Sequence, residues 1–459
     1  MNLKKASDLY LTIAFIGMIL IGAIIIVFRE SIVDVYDIKR HYQLISSAIL
    51  LLFVFFSNRV KKDIVYLAFS FPFNIKIAVF VFICAILFSD FAINYDLVNS
   101  SFTFYFLSIF ILVMATALYI DRKLTYVLFI LLIISFYFYI LIGHTYVTII
   151  LEEVPDYYSI FGYLNPRVMN QMQAWIFIPC LHFLYLCHKK KSNISFALLF
   201  SVNITIIYAL DARGLAISSL VGVFMWLFIV GFNRSTVLFL LVSVLFGTML
   251  KVVTLAPMPQ IFFIGYEFLF EDIIDVRDDH MNRIKIWKDT FSILSLLGEG
   301  SASYTCNQSD HTIPHNSVLY IAYQWGVLPA LCFIYLCLTS FKKIIFGKSI
   351  KHRIVNLSVL VPLAYSLVSG VLIYPLSVFI GAISIGLLIN ETVRIKKVDC
   401  SVWIYKSIIG LMAFCCIVSL LYLSIDRVIN NEVSISRDDK ISLEMWANPP
   451  KEHCNLDMI

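Results

Sequence analysis

Residues 124–143 read LTYVLFILLIISFYFYILIG, and they decide the fold. The run carries no charged side chain and follows Arg122 and Lys123 directly. A helix of about 20 apolar residues spans the roughly 30 Å hydrocarbon layer of a bilayer. A stretch apolar on every face has no amphipathic stripe to present to a soluble core. The rest of the chain agrees. Of 459 residues, 60% are hydrophobic and 14% charged, with a mean hydropathy of +0.88. Soluble domains average about 45–50% apolar and about 25% charged. Aromatics make up 15%, with 39 Phe and 25 Tyr, which suits helices facing acyl chains and headgroups.

Working outward, similar runs lie near 9–28, 43–57, 74–89, 102–120, 171–188, 194–210, 214–231, 235–253, 316–339, 354–374, 375–390 and 403–424. The expected fold is all-α: a polytopic integral membrane protein with about 12–13 transmembrane helices and one large loop on the non-cytoplasmic side. Residues 1–424 form one membrane domain containing the loop 254–315, and 425–459 form a short tail. Lys4 and Lys5 precede the run 9–28 without a small-residue cleavage site after it, so that run reads as a first spanning helix, not a signal peptide. No internal repeat or low-complexity linker stands out.

The placement of basic residues sets an orientation. With the N-terminus cytoplasmic, the clusters Lys4/Lys5, Arg59/Lys61/Lys62, Arg122/Lys123, Lys189/Lys190/Lys191, Arg234, Lys342/Lys343/Lys348/Lys351/Arg353 and Arg394/Lys396/Lys397 all fall on one side. The other side receives Arg29, Lys39, Arg40, Arg167 and Arg213 in its short loops, together with two long segments, about 144–170 and 254–315. The N-terminus is expected to be cytoplasmic and the C-terminal tail to lie on the opposite side. Most of the ten cysteines, such as Cys84, Cys180, Cys332 and Cys416, sit in apolar runs as small hydrophobes. Cys306 and Cys454 fall outside, where they form either a disulfide between loop and tail or two free thiols.

The polar residues that need explaining gather on the outer side. Asp211-Ala212-Arg213-Gly214 separates two apolar runs. Arg213 is either an interfacial anchor paired with Asp211 or an anion-binding arginine at a tight turn. In the long loop, the acidic stretch Glu267 to Asp279 reads as a solvated face. An amphipathic helix is expected over 281–297, with Arg283 and Trp287 four residues apart on one face and Gly298 as its stop. Gly298-Glu299-Gly300 and a polar run follow, then Pro314-His315-Asn316-Ser317 at the mouth of the next span. His311 and His315 have i, i+4 spacing, but Pro314 interrupts the helix that a metal-binding pair would need. No metal and no cofactor is expected. Asn165-Pro166-Arg167 with Asn170 and Gln171 opens the span 171–188, as a helix cap or as contacts to sugar hydroxyls and phosphate.

Taken in order, these residues resemble the bacterial O-antigen ligase and polymerase superfamily. The likeness rests on the Arg213-Gly214 turn, the loop two helices later with Arg283-x3-Trp287 and Gly298-x-Gly300, and His315-Asn316 just before a helix containing Gly326. It covers roughly residues 140–390, and Asn165-Pro166-Arg167…Asn170-Gln171 shares it. The resemblance implies an all-helical glycosyltransferase that takes a glycan from undecaprenyl pyrophosphate and joins it to an acceptor hydroxyl on the periplasmic side. Arg213 and Arg283 would hold the pyrophosphate, and His315 would assist the acceptor. Arg167, Asn165, Gln171 and Asn316 would contribute donor or acceptor contacts. The acceptor is expected to be lipid A–core, as in an O-antigen ligase; polymerase and pilin-type protein acceptors are the alternatives. Membrane lipids are expected partners and nucleic acid is not. A transporter of lipid-linked oligosaccharide is the competing class. The absence of a visible repeat and the apolar midplane positions weigh against it.

Overall fold

The computed structural model describes residues 3–27, 32–93, 97–156, 159–163, 165–265, 279–301, 303–304, 314–396 and 402–430. The acidic stretch before Asp279, His311, Cys306, Cys454 and most of the tail lie outside them. Helices account for 84% of the described residues, and no strand is among them, so the chain is an all-α polytopic membrane protein. Nine described helices are long and apolar enough to cross a membrane, and Thr103–Tyr119 and Ser195–Ala209 are shorter apolar helices.

The helices run α1 (Leu3–Val27), α2 (Ile32–Phe56), α3 (Asn58–Ser70), α4 (Phe73–Phe88), α5 (Leu97–Tyr119), α6 (Arg122–Ile149), α7 (Pro166–Lys191), α8 (Ser195–Ala209), α9 (Arg213–Val230), α10 (Arg234–Thr254), α11 (Met258–Ile264), α12 (Asp279–Ser292), α13 (Ser317–Trp325), α14 (Val327–Phe346), α15 (Ile350–Tyr365), α16 (Pro375–Thr392) and α17 (Val402–Asn430). A π-helical turn, Ser89–Ile93, follows α4.

They form two compact units. The first comprises Met1–Ile38, Asp121–Asp278 and Lys343–Tyr365. Here α8 packs along α10, and α15 lies against α7 and α9. Gly247 lets α10 approach α8 closely, because an added Cβ would sit 2.8 Å from the Ser201 carbonyl oxygen. Thr205 Oγ1 donates to the Gly247 carbonyl at 3.0 Å and Ser243 Oγ to that of Ala197 at 3.1 Å. Small residues and hydroxyl bonds join helices well in lipid, where apolar burial between helices gives no driving force. Tyr185 and Trp226 meet edge to face at 5.1 Å in the same unit.

The second unit comprises Lys39–Ile120, Asp279–Lys342 and Ser366–Ile459. Its centre is α5, against which α3, α16 and α17 pack. Tyr119 Oη donates to Asp63 Oδ2 at 2.7 Å, and Asn390 Nδ2 to the Ala117 carbonyl at 2.7 Å.

In the first unit, Lys4 lies beside the helix start that carries the basic pair Arg122 and Lys123. Lys4 Nζ is 3.1 Å from Asp121 Oδ2, at the start of α6. Asp121 also caps α6 by accepting from Leu124 N at 3.0 Å. That bond and Lys4 hold the Asp121 carboxyl below its usual range. In the second unit, Lys396 N donates to Ser70 Oγ at 2.8 Å.

Several sequence expectations need correction. The run 316–339 is not one helix: it breaks at Gly326, whose φ is +91°. The run 354–374 ends its helix at Tyr365, leaving a connector before Pro375. Lys39 and Arg40 are not loop residues; both lie within α2 and are buried. Helix α3 adds an amphipathic element where the basic cluster Arg59, Lys61 and Lys62 was expected simply to separate two spans. Helix α12 stops at Ser292, short of the expected 297. Helix α7, expected as a span, has 26 residues but is not among the nine; its first turns carry Asn170, Gln171 and Gln173.

Candidate functional site

The site begins with helix geometry. Residues four apart share a face, so Arg283 and Trp287 look the same way from α12. Arg283 Nη1 donates to the Val368 carbonyl at 3.2 Å, and Trp287 Nε1 to the Pro314 carbonyl at 2.9 Å. Ser317 N donates to the Ser366 carbonyl at 2.9 Å. One helix face thus ties together the turn that carries His315 and the connector after α15.

His315 is half-buried, with φ +51°. A left-handed backbone at a residue other than Gly costs about 1–3 kcal/mol, and such strain gathers where function requires it. The flanking residues hold it there. Trp287 holds Pro314 on one side. On the other, Asn316 Oδ1 accepts from Val318 N and Leu319 N, at 3.0 and 3.2 Å, capping α13. The Asn316 carboxamide oxygen is therefore committed to the helix start.

Gly298-Glu299-Gly300 closes the other end of α13. Glu299 N and Gly300 N donate to the carbonyls of Tyr323 and Gln324, at 2.9 and 2.8 Å. These carbonyls belong to the last turn of a helix, where partners within the helix run out. Val327 N donates back to the Leu296 carbonyl at 3.2 Å. A Cβ on Gly298 would sit 2.4 Å from the Gln324 carbonyl oxygen, and φ there is +82°. Gly298→Ala is therefore expected to destabilise the second unit by about 2 kcal/mol or more, from strain plus displaced backbone. A lowered thermal midpoint of the purified protein checks this; an unchanged midpoint would contradict the interlock.

A buried network anchors the same segment, and the sequence reading missed it. Asp90 is 0% exposed. Its Oδ1 accepts from Ser301 N at 3.0 Å, and its Oδ2 from Thr103 Oγ1 at 2.5 Å and from Ser301 Oγ. Trp325 Nε1 donates to Ser301 Oγ at 2.8 Å, and Gln324 Nε2 to the Ser301 carbonyl. The sequence carried one signal: a carboxylate ending an apolar run is expensive in a membrane unless partnered. Beside Thr103 lies an apolar cavity of about 230 Å³, lined by Phe82, Phe106, Phe110, Phe333 and aliphatic side chains of α4, α5 and α14.

The remaining candidates belong to the first unit. Arg213 opens α9, and its Nε donates to Asp211 Oδ1 at 3.2 Å, both side chains 42% exposed. This is the pairing with Asp211 that the sequence allowed for Arg213. Asn165 caps α7, its Oδ1 accepting from Arg167 N at 2.8 Å behind Pro166. Arg167 is half-buried and Gln171 buried. Arg283, His315 and Asn316 thus belong to the second unit, and Arg213, Asn165, Arg167 and Gln171 to the first. Among the described residues, no three His, Cys, Asp or Glu side chains converge as metal ligands would. No family model, curated protein or solved structure matches this chain.

Proposed function

We propose that this protein is a glycosyltransferase that moves a glycan from undecaprenyl pyrophosphate to an acceptor hydroxyl at the periplasmic face of the inner membrane, most directly as an O-antigen ligase acting on lipid A–core. The observation that carries the reading is the single face of α12, which presents Arg283 and, through Trp287 and Pro314, fixes the turn that holds His315.

The chemistry needs two things from the protein. The acceptor oxygen attacks the anomeric carbon as the bond from that carbon to the pyrophosphate oxygen breaks. Charge then grows on the departing pyrophosphate, and the hydroxyl proton must leave. A guanidinium has five N–H donors, of which the Val368 bond uses one, and it suits two phosphate oxygens at once. His315 suits the proton, because a neutral imidazole nitrogen can accept it from the hydroxyl. The resemblance gives Arg213, in the first unit, a pyrophosphate-binding role too, and its own substitution tests that role separately. The apolar cavity offers room for part of a polyprenyl chain, and anchoring in lipid lowers the entropic cost of orienting the donor.

Deleting the protein in its host is expected to leave lipopolysaccharide that is core-only, with polymer stranded on lipid. Core bearing one repeat would indicate a polymerase instead. A pilin of altered mass beside normal lipopolysaccharide would indicate a protein acceptor. Unchanged lipopolysaccharide and glycoprotein profiles would end the proposal.

A further inference from the structure

We propose that the second unit holds one anionic phospholipid in a pocket between the end of α2, the start of α3 and the start of α17, independently of the glycan-transfer reading. The pocket has a volume of about 570 Å³. Its polar side is Asn58, Lys61, Lys406 and Ser407; its apolar side includes Phe55, Leu411 and Phe414. Among the described residues, two lysines and no carboxylate line it, which favours an anionic group.

The arrangement follows the bilayer. Candidate spans end at Phe56 and begin at Trp403, so the two lysines lie at the boundary between hydrocarbon and headgroups. Leu411 and Phe414 lie about two to three turns further along α17, roughly 12–16 Å from Trp403 at 1.5 Å per residue. A phospholipid has the same polarity along its length: phosphate and glycerol at the lysines, acyl chain along the phenylalanines. The pocket is held open from below and from the side. Lys61 Nζ donates to the Phe55 carbonyl at 3.0 Å, which fixes the ammonium at the rim. At Gly410, a Cβ would touch only the Lys61 side chain, 3.6 Å away, so the missing side chain leaves room beneath the lysine. The nearest carboxylate on α3, Asp63, is engaged by Tyr119 Oη at 2.7 Å. Basic pockets between membrane helices recognise anionic headgroups, and the charge pattern assigns this end of α2 to the cytoplasmic face, where anionic lipid is concentrated.

The test is native mass spectrometry of the full-length protein exchanged into micelles with defined lipid. Wild type is expected to retain one phosphatidylglycerol in preference to phosphatidylethanolamine. Lys61→Gln with Lys406→Gln is expected to weaken retention about thirty-fold, the effect of two lysine contacts at a membrane surface. Gly410→Leu, which fills the pocket at unchanged charge, is expected to reduce retention as well. Lys62→Gln with Lys396→Gln removes the same charge outside the pocket and is expected to leave retention as in wild type. Equal retention of the two lipids, unaltered retention in both pocket variants, or displacement of the lipid by millimolar inorganic phosphate would overturn the proposal.

Discussion

Alanine at His315 is expected to lower glycan transfer by about 10²–10⁴-fold at normal protein level, the usual contribution of a positioned general base. The backbone at this residue makes the interpretation sharper. Its φ of +51° is tolerated by Asn far better than by most residues. His315→Asn therefore keeps the turn while removing the proton acceptor. If Asn restores transfer, His315 serves the turn and not the chemistry. Arg283→Ala is expected to cost about 10²–10³-fold, as loss of one charge-stabilising donor does elsewhere. Lysine at 283 can still donate to the Val368 carbonyl but cannot fork to two oxygens, so it is expected to restore stability and only part of the rate. Arg213→Ala is the separate test of the first unit's contribution. Lipopolysaccharide banding in a deletion strain, with immunoblotting of the membrane fraction, reads all of these.

The second large effect is expected at Asp90, a residue with no direct part in the proposed reaction. Its carboxylate accepts from Ser301 N, Ser301 Oγ and Thr103 Oγ1 inside a buried site. Asp90→Ala leaves a backbone donor and two hydroxyls without their acceptor, at about 1–3 kcal/mol for each group that finds no replacement. The hydroxyls can turn toward other carbonyls; the amide cannot. The expected loss is thus about 2–4 kcal/mol, at the Ser301 end of the Gly298–Ser301 segment. Asp90→Asn keeps one oxygen for the amide and offers its NH₂ to the two hydroxyl oxygens, so it is expected to recover most of the stability. Thermal unfolding of purified variants distinguishes the two; equal midpoints for Ala and wild type would remove Asp90 from the account of how the segment is held.

The comparison of α6 with α13 shows what local sequence can and cannot reveal. Helix α6 was legible because its apolar run is uninterrupted and its length matches a bilayer. The run 316–339 looked equally continuous, and Gly326 within it carried no warning, since glycine is common in membrane helices. The break comes from the Leu296 carbonyl, which would lie 2.3 Å from a Cβ at 326, and that neighbour is about thirty residues away in the chain. Helix α3 was missed for the opposite reason: its four charged residues hid the buried stripe Val60, Ile64, Val65 and Leu67. At the candidate site, the pairing of Arg283 with Trp287 was legible from spacing alone. Their partners, Val368 and Pro314, were not, because each is a backbone carbonyl in a distant loop. Asp90 was hidden in the same way, with Ser301 211 positions further on. Lys39 and Arg40 were misplaced because charge normally marks a loop between spans, whereas here both are buried within α2.

The most direct measurement uses purified protein in liposomes, with a polyprenyl-pyrophosphate-linked glycan as donor, lipid A–core as acceptor and no added metal or nucleotide. The account predicts a new glycosidic bond and released polyprenyl pyrophosphate, both lost in His315→Ala and Arg283→Ala. Movement of intact donor from one leaflet to the other, with no glycosidic bond formed, would contradict it.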